Sequence, residues 1–479
     1  MGRIVKNYIY NSIYQIIAII IPIITSPYLT RVLGAEQLGI EGYVTSVCQI
    51  FYTVGMIGLT NYATREIAYA RNDKYSRSKV FWEMNCTRIT VFVLTLVVYF
   101  LVVHSSPYRI YFIINIVWLF AMFFDVSWFF AGMEIFGITV ARNLVVRVLT
   151  IISIFVFVKS EDDLYLYIML CALSQLVGTI SIVPQLKKYI CLVDARKLEI
   201  KKHFIPSIRV FFPQLASMLY LQMDKVMIEK LANATQVAYY NQAEKLIKAP
   251  LALITAASTV MMPRIANEFI KHNMEKIRQY LDSSLKFLMM MAFPVAFGMA
   301  GIANELIPWF LGSDFQPAAL AMIVLAPIIV AIAASSLSAD QYFLPTNQTN
   351  ILAISYTVSA LINLVVNFLL IPSYGFVGAA IGTIVAEYSV FLIQYFVLNK
   401  QVKIEKTLIY CLKYGVFALV MYIAISMLGK RLGAYWTTTV LQIIVGVGIY
   451  ALLLLISKDK FFMYYLSKFF NSIKARIKH

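Results

Sequence analysis

The fold class this sequence predicts is an all-α, polytopic membrane bundle. About fourteen transmembrane helices are expected, as two parallel six-helix lobes around a central cleft plus two C-terminal helices. Three observations carry that prediction. Apolar runs of about twenty residues follow one another with little between them, and a helix of that length crosses a hydrocarbon core of roughly 30 Å. The 479 residues are 61% hydrophobic and 14% charged, with a mean hydropathy of +0.76, whereas soluble domains carry about a quarter charged residues. Finally, the cations gather in alternate connections between the runs.

The first six runs lie at 8–30, 39–60, 80–103, 109–132, 138–158 and 163–185. The next six lie at 206–229, 246–263, 284–304, 317–343, 351–371 and 375–398, and a last pair at 407–428 and 436–456. The first run continues to Leu29 with no small-residue cleavage site after it, so a retained helix is expected rather than a cleaved signal. Pro22 and Pro27 interrupt it, Pro206 and Pro213 fall early in the seventh, and Pro294 and Pro327 lie in the ninth and tenth. Each frees a carbonyl and bends a membrane helix, serving either a gate or static packing.

Connections after even-numbered runs are basic, with Arg71, Lys74, Arg77 and Lys79, then Lys187, Lys188, Arg196 and Lys197, then Lys271 and Lys276. Those after odd-numbered runs, such as Glu161 to Asp163, are poor in cations. The positive-inside rule then places both termini in the cytoplasm, which an even number of crossings satisfies. The net charge of +17 is read as topogenic and lipid-directed, and no nucleic-acid partner is expected.

The longest basic connection, about 186–205, separates an N-lobe (1–205) from a C-lobe (206–400), leaving 401–479 for the last two helices and a basic tail. An internal echo supports the division. RVLGAEQLG at 31–39 follows the first run, and KLANATQVA at 230–238 follows the seventh, an offset of 199 residues. At the same offset Arg65 falls on Arg264, each closing the next run. Because six is even, both lobes start on the same side, which is the parallel-repeat arrangement of many transporters.

A charge near the bilayer centre costs about 2.5–3.5 kcal/mol on insertion scales, so it faces a cavity or a partner. Arg88, Arg147 and Glu387 are the deepest; Asp125, Asp224, Lys225, Asp340 and Lys413 lie nearer the ends of their runs. Guanidinium holds phosphate with two parallel hydrogen bonds and stays charged when desolvated. Arg31, Arg88, Arg147 and Lys225 are therefore the candidate substrate-binding residues, for an anionic, phosphate-bearing substrate. Asp125, Asp224 and Glu387 are candidate carriers of a coupling ion, H+ or Na+. Arg65 and Arg264 are candidate cytoplasmic gate residues. A buried structural pair is the competing reading for Arg147, and a side chain partly snorkelled to the interface for Arg88; Lys413 reads as an interfacial anchor and Asp340 as solvated.

His104, His203, His272 and His479 lie near loops or ends and are also read as solvated. The five cysteines (Cys48, Cys86, Cys171, Cys191, Cys411) form no CxxC pair or metal-ligand spacing, so neither disulfides nor a metal is expected. There is no P-loop, HExxH or GxSxG motif, so neither ATP hydrolysis nor another enzymatic activity is expected, and no cofactor beyond the coupling ion.

Three segments carry a family resemblance. The stretch from Asn11 to Gly42, containing PYLTRVLG at 27–34 and Gly39, resembles the first helix pair of bacterial polysaccharide flippases of the Wzx type. So do GLTNYATREIA at 58–68 and DVSWFFAGMEIF at 125–136. The resemblance covers most of the chain, is strongest over the first 150 residues and weakens after the twelfth run. It implies the multidrug/oligosaccharidyl-lipid/polysaccharide exporter superfamily and a bundle open alternately to each face of the bacterial cytoplasmic membrane. It also implies the substrate, an undecaprenyl-diphosphate-linked oligosaccharide moved from the inner to the outer leaflet for surface polysaccharide. Glycosyltransferases and a polysaccharide polymerase are the partners it suggests. The competing readings are an ion-coupled small-molecule exporter of the related drug antiporter group and a membrane-embedded glycan polymerase or scaffold.

Overall fold

The structure, a computed structural model, describes residues 2–56, 59–404, 407–464 and 467–468. Gly58, His479 and the basic tail beyond residue 468 lie outside the described residues. Among the described residues the chain is helical, with no strand.

Its helices are α1 (Gly2–Met56), α2 (Leu59–Ala70), α3 (Lys74–Val103), α4 (Arg109–Phe124), α5 (Ser127–Gly132), α6 (Phe136–Phe157), α7 (Leu164–Ile182) and α8 (Ile200–Leu231). Then follow α9 (Ala234–Ile270), α10 (Met274–Leu311), α11 (Pro317–Leu325), α12 (Ile328–Ser336), α13 (Thr349–Tyr374), α14 (Phe376–Val402), α15 (Thr407–Leu432) and α16 (Trp436–Ile456). Among the described residues each of the apolar runs is helical, and the chain is a multi-pass membrane protein. Among the described residues, ten helices are long and apolar enough to cross a membrane, or up to eleven with the bent pair in α9. One of the ten, Ile21–Ala70, holds the end of the first run and the second run.

Local signals explain where the helices start and bend. Asp73 accepts a hydrogen bond from the Ser76 N–H at 2.6 Å and caps α3. The hydrogen bonds from Ser76 hold its carboxyl below the usual carboxylate range. Within α1, Gly34 adopts φ 72°, a left-handed backbone that favours glycine, and the helix breaks there. Residues 337–343, between α12 and α13, form a π-helical turn, a widened geometry that recurs at functional sites.

By contact the chain divides into two compact units, one of residues 1–242 with 356–382 and the other of 243–355 with 383–479. In unit 1, α4 packs on α7 and α1 on α8, around fully buried aromatics such as Tyr99, Phe112, Phe129 and Phe130. The two segments of the echo meet there. A Cβ on Gly39 would stand 1.7 Å from the Ala234 carbonyl oxygen, and one on Gly42 would stand 3.3 Å from the Val237 side chain. Only glycine permits the first approach. In unit 2, α10 packs along α15 and α16.

Candidate transport site

Arg88 and Asp125, assigned from sequence to substrate and ion, are brought together at the end of α4. That helix stops where Asp125 turns extended (φ −73°, ψ 107°), its N–H closing the last turn on the Met122 carbonyl, and the carbonyls of that turn have room for further donors. The Arg88 side chain, 4% exposed, supplies donors from α3. One terminal nitrogen donates to the Asp125 carbonyl oxygen and, at 3.3 Å, to that of Met122; the other donates to Asn85 Oδ1. A cation at a helix C-terminus also opposes the negative end of its dipole. The Asp125 carboxylate accepts from the Tyr52 hydroxyl at 3.1 Å and the Ser127 N–H at 2.8 Å, while the Trp128 indole donates to its carbonyl at 3.1 Å. The fork of Arg88 thus joins α3 to α4, and its Nε has no hydrogen-bond partner.

Asp224 lies in a second node, 4% exposed, where α8, α9 and α13 converge. It accepts from the Tyr240 hydroxyl at 2.7 Å and from Asn367 Nδ2 at 2.6 Å, and Asn367 also donates to Asn363 Oδ1 at 3.1 Å. A Cβ on Gly382 would stand 2.1 Å from Asn367 Oδ1, so α14 closes tightly over the node. Asn367 Oδ1 itself has no donor. The node gathers a carboxylate and amide oxygens, the hard donors suited to Na+ or a proton. Among the described residues no three His, Cys, Asp or Glu side chains converge as a metal site.

The remaining candidates are placed more simply. Arg147, Lys225 and Glu387 are half-buried. Arg31 is exposed and donates to the Pro27 carbonyl at 2.7 Å. Arg65 is exposed, 3.3 Å from Glu66 and over the Tyr62 ring; Arg264 is exposed. Asp340 is half-buried within the π turn.

His203 corrects its expectation of a solvated ring, being 1% exposed. It lies between the Tyr62 hydroxyl at 2.9 Å and the Glu83 carboxylate at 2.8 Å, which also accepts the Glu199 N–H at 2.7 Å. This node ties the start of α8 to α2 and α3. Lys413 corrects in detail: its ammonium binds Asp459, which is 3.4 Å from Lys286. Sequence reading also passed over Arg142, which donates to the Gly178 carbonyl at 3.1 Å. Like its neighbours it is a cation interrupting an apolar run, and the same signal marks it.

Comparison with known proteins agrees with the fold. Residues 4–269 match the model of the family described as polysaccharide biosynthesis protein. The putative O-antigen transporter of Escherichia coli (strain K12) is 22% identical over 394 residues, covering 80% of this chain and 93% of that protein. A probable low-salt glycan biosynthesis flippase of Haloferax volcanii is 26% identical over 169 residues, 34% of each chain. The lipid II flippase MurJ in an inward closed conformation superposes with a TM-score of 0.76 at 17% identity, over 94% of this chain and 98% of that one. An inward-facing multidrug transporter of the MATE family superposes at 0.62 and 14% identity, over 82% and 96%. These relatives and neighbours are transporters and flippases rather than catalysts.

Proposed function

Since this chain belongs to the polysaccharide biosynthesis protein family, we propose that it is a flippase for lipid-linked oligosaccharides. Its substrate would be an undecaprenyl-diphosphate-linked repeat unit, moved from the inner to the outer leaflet of the bacterial cytoplasmic membrane with both termini in the cytoplasm. The observation that supports this most is the match along 93% of a putative O-antigen transporter, on a fold that superposes on a lipid flippase.

The chain's own residues suggest how the work is divided. Arg147, Lys225 and Arg31 remain the candidates for receiving the diphosphate, since guanidinium and ammonium bind it as fork and point charge. Arg88 acts with them indirectly, by holding the end of α4. Asp224 is the favoured ion carrier over Asp125 and Glu387, because its buried carboxylate on α8 meets the Tyr240 hydroxyl of α9 and the Asn367 amide of α13. Alternating access would open the close contact between Gly39 and Ala234, with Arg65 and Arg264 acting at the cytoplasmic side. A polymerase and glycosyltransferases would act after and before it.

Deletion of the gene tests the proposal. Lipid-linked repeat units should accumulate on the cytoplasmic leaflet and surface glycan should fall. Unchanged glycan with heightened sensitivity to cationic drugs would favour the exporter reading, which the superposition on a multidrug transporter supports.

A further inference from the structure

A cavity of about 680 Å³ lies within unit 1, between α3, the end of α4 and the segment 183–192. That size is typical of small-molecule sites. Its walls are apolar and aromatic, formed by Phe81, Trp82, Ile89, Phe124, Ile190 and Leu192 among others. Ile89 is 44% and Leu192 89% exposed, so the apolar wall continues onto the outer surface of the helices. Such a surface suits lipid rather than water.

Two cations interrupt this lining. Lys187 is exposed at the cavity, with no hydrogen-bond or ion-pair partner among the described residues. Arg88 lies on the same lining, buried, and its Nε is an unpaired donor. Buried donors are almost always satisfied, so Arg88 Nε is left to serve an acceptor that enters the slot. The Trp82 indole binds the Cys191 carbonyl at 3.0 Å. Arg88 is six residues further along α3, so the slot runs roughly 9 Å along that helix.

We infer that this slot binds an anionic membrane phospholipid. Its phosphate meets Lys187, an acyl chain lies between the aromatic walls, and an ester carbonyl accepts from Arg88 Nε. Charge complementarity selects this occupant. The segment 183–202 carries Lys187, Lys188, Arg196, Lys197, Lys201 and Lys202, and basic clusters at the edge of membrane helices attract anionic headgroups. A zwitterionic lipid gains the walls without the charge. Free phosphate gains the charge and leaves the walls wet. All of the lining comes from one unit.

The test uses the purified full chain in neutral detergent, with native mass spectrometry and thermal melting as readouts. The probes are dioleoyl phosphatidylglycerol, dioleoyl phosphatidylcholine, inorganic phosphate and undecaprenyl phosphate. One phosphatidylglycerol should bind at least tenfold more tightly than phosphatidylcholine and raise the melting midpoint, while inorganic phosphate does neither. Lys187→Glu should weaken phosphatidylglycerol binding tenfold or more without moving the lipid-free midpoint, and Ile89→Trp, which fills the slot, should abolish it. Equal binding of the two phospholipids, or binding unaffected by Lys187→Glu, would overturn the inference. So would displacement by an equal concentration of undecaprenyl phosphate, which would assign the slot to the transported lipid class.

Discussion

The cavity beside α3 in unit 1 and the cavity beside α10 in unit 2 have similar apolar walls and different polar groups. The first carries Arg88 and Lys187. The second, about 430 Å³, is lined by Met291, Pro294, Met421 and Ile443 among others, with Gln442 and no cation. The Gln442 amide donates to the Ile425 carbonyl at 2.9 Å and to buried Glu305 at 3.1 Å, fastening α10, α15 and α16 to one another. A neutral amide in an apolar wall binds helices together. A cation there does so too, and in addition leaves a charge for which an anion is the natural complement.

The largest effect expected is from erasing the charge of the first cavity. Arg88→Leu removes the donor from Asn85 Oδ1 and from the Met122 and Asp125 carbonyls. Three hydrogen bonds from a charged donor, at ~1 kcal/mol or more each, imply a loss of about 3 kcal/mol, read as a lower melting midpoint and reduced expression. An unchanged midpoint would show that α4 does not need this cap. Second, Gln442→Leu removes the amide from the other cavity and takes a donor from Glu305, costing about 1–3 kcal/mol. Glu305→Gln in that background should recover part of it, because it removes the stranded carboxylate.

A third prediction concerns the edge of the second cavity. Asp459, just past α16, accepts the N–H of Phe462, which lines that cavity. Burial pushes its carboxyl up. The Lys413 hydrogen bond, the Phe462 N–H and the charges of Lys286 and Lys413 outweigh burial, holding it at about 2 against an ordinary 3.8. A depressed carboxyl contributes stability above its unfolded value and loses it as pH falls through its folded value. Wild type should therefore lose ~1–2 kcal/mol, allowing for solvent screening, as pH falls from 5 to 2. Asp459→Asn should lack that contribution, so its midpoint should vary less over the same range. The smallest effect is Lys187→Gln, an exposed change that should move stability by less than ~0.5 kcal/mol while weakening anionic-lipid binding. A large destabilisation would make Lys187 a structural residue.

The apolar runs were legible because a helix that crosses lipid must be apolar along its whole length, and that signal is local. Where one crossing ends and the next begins is also local in part, since the break at Gly34 falls between the first two runs. The charged residues were legible as interruptions, yet their partners were not. Arg88 reaches a carbonyl 37 residues away, and His203 is buried by side chains 120 and 141 residues away. Nothing near His203 in sequence distinguishes it from a solvated loop histidine. The echo at 31–39 and 230–238 was visible as spacing, but only the fold shows that its two segments touch at Gly39 and Ala234.

The central claim is that this chain moves a lipid-linked oligosaccharide across a bilayer. The most direct measurement reconstitutes it into vesicles holding a fluorescent undecaprenyl-diphosphate oligosaccharide and follows how much becomes accessible to a membrane-impermeant quencher. Accessibility should rise well above that of protein-free vesicles, and Arg147→Ala should abolish the rise while leaving the protein folded. A rate equal to that of empty vesicles, under an imposed proton or sodium gradient of either sign, would contradict the account.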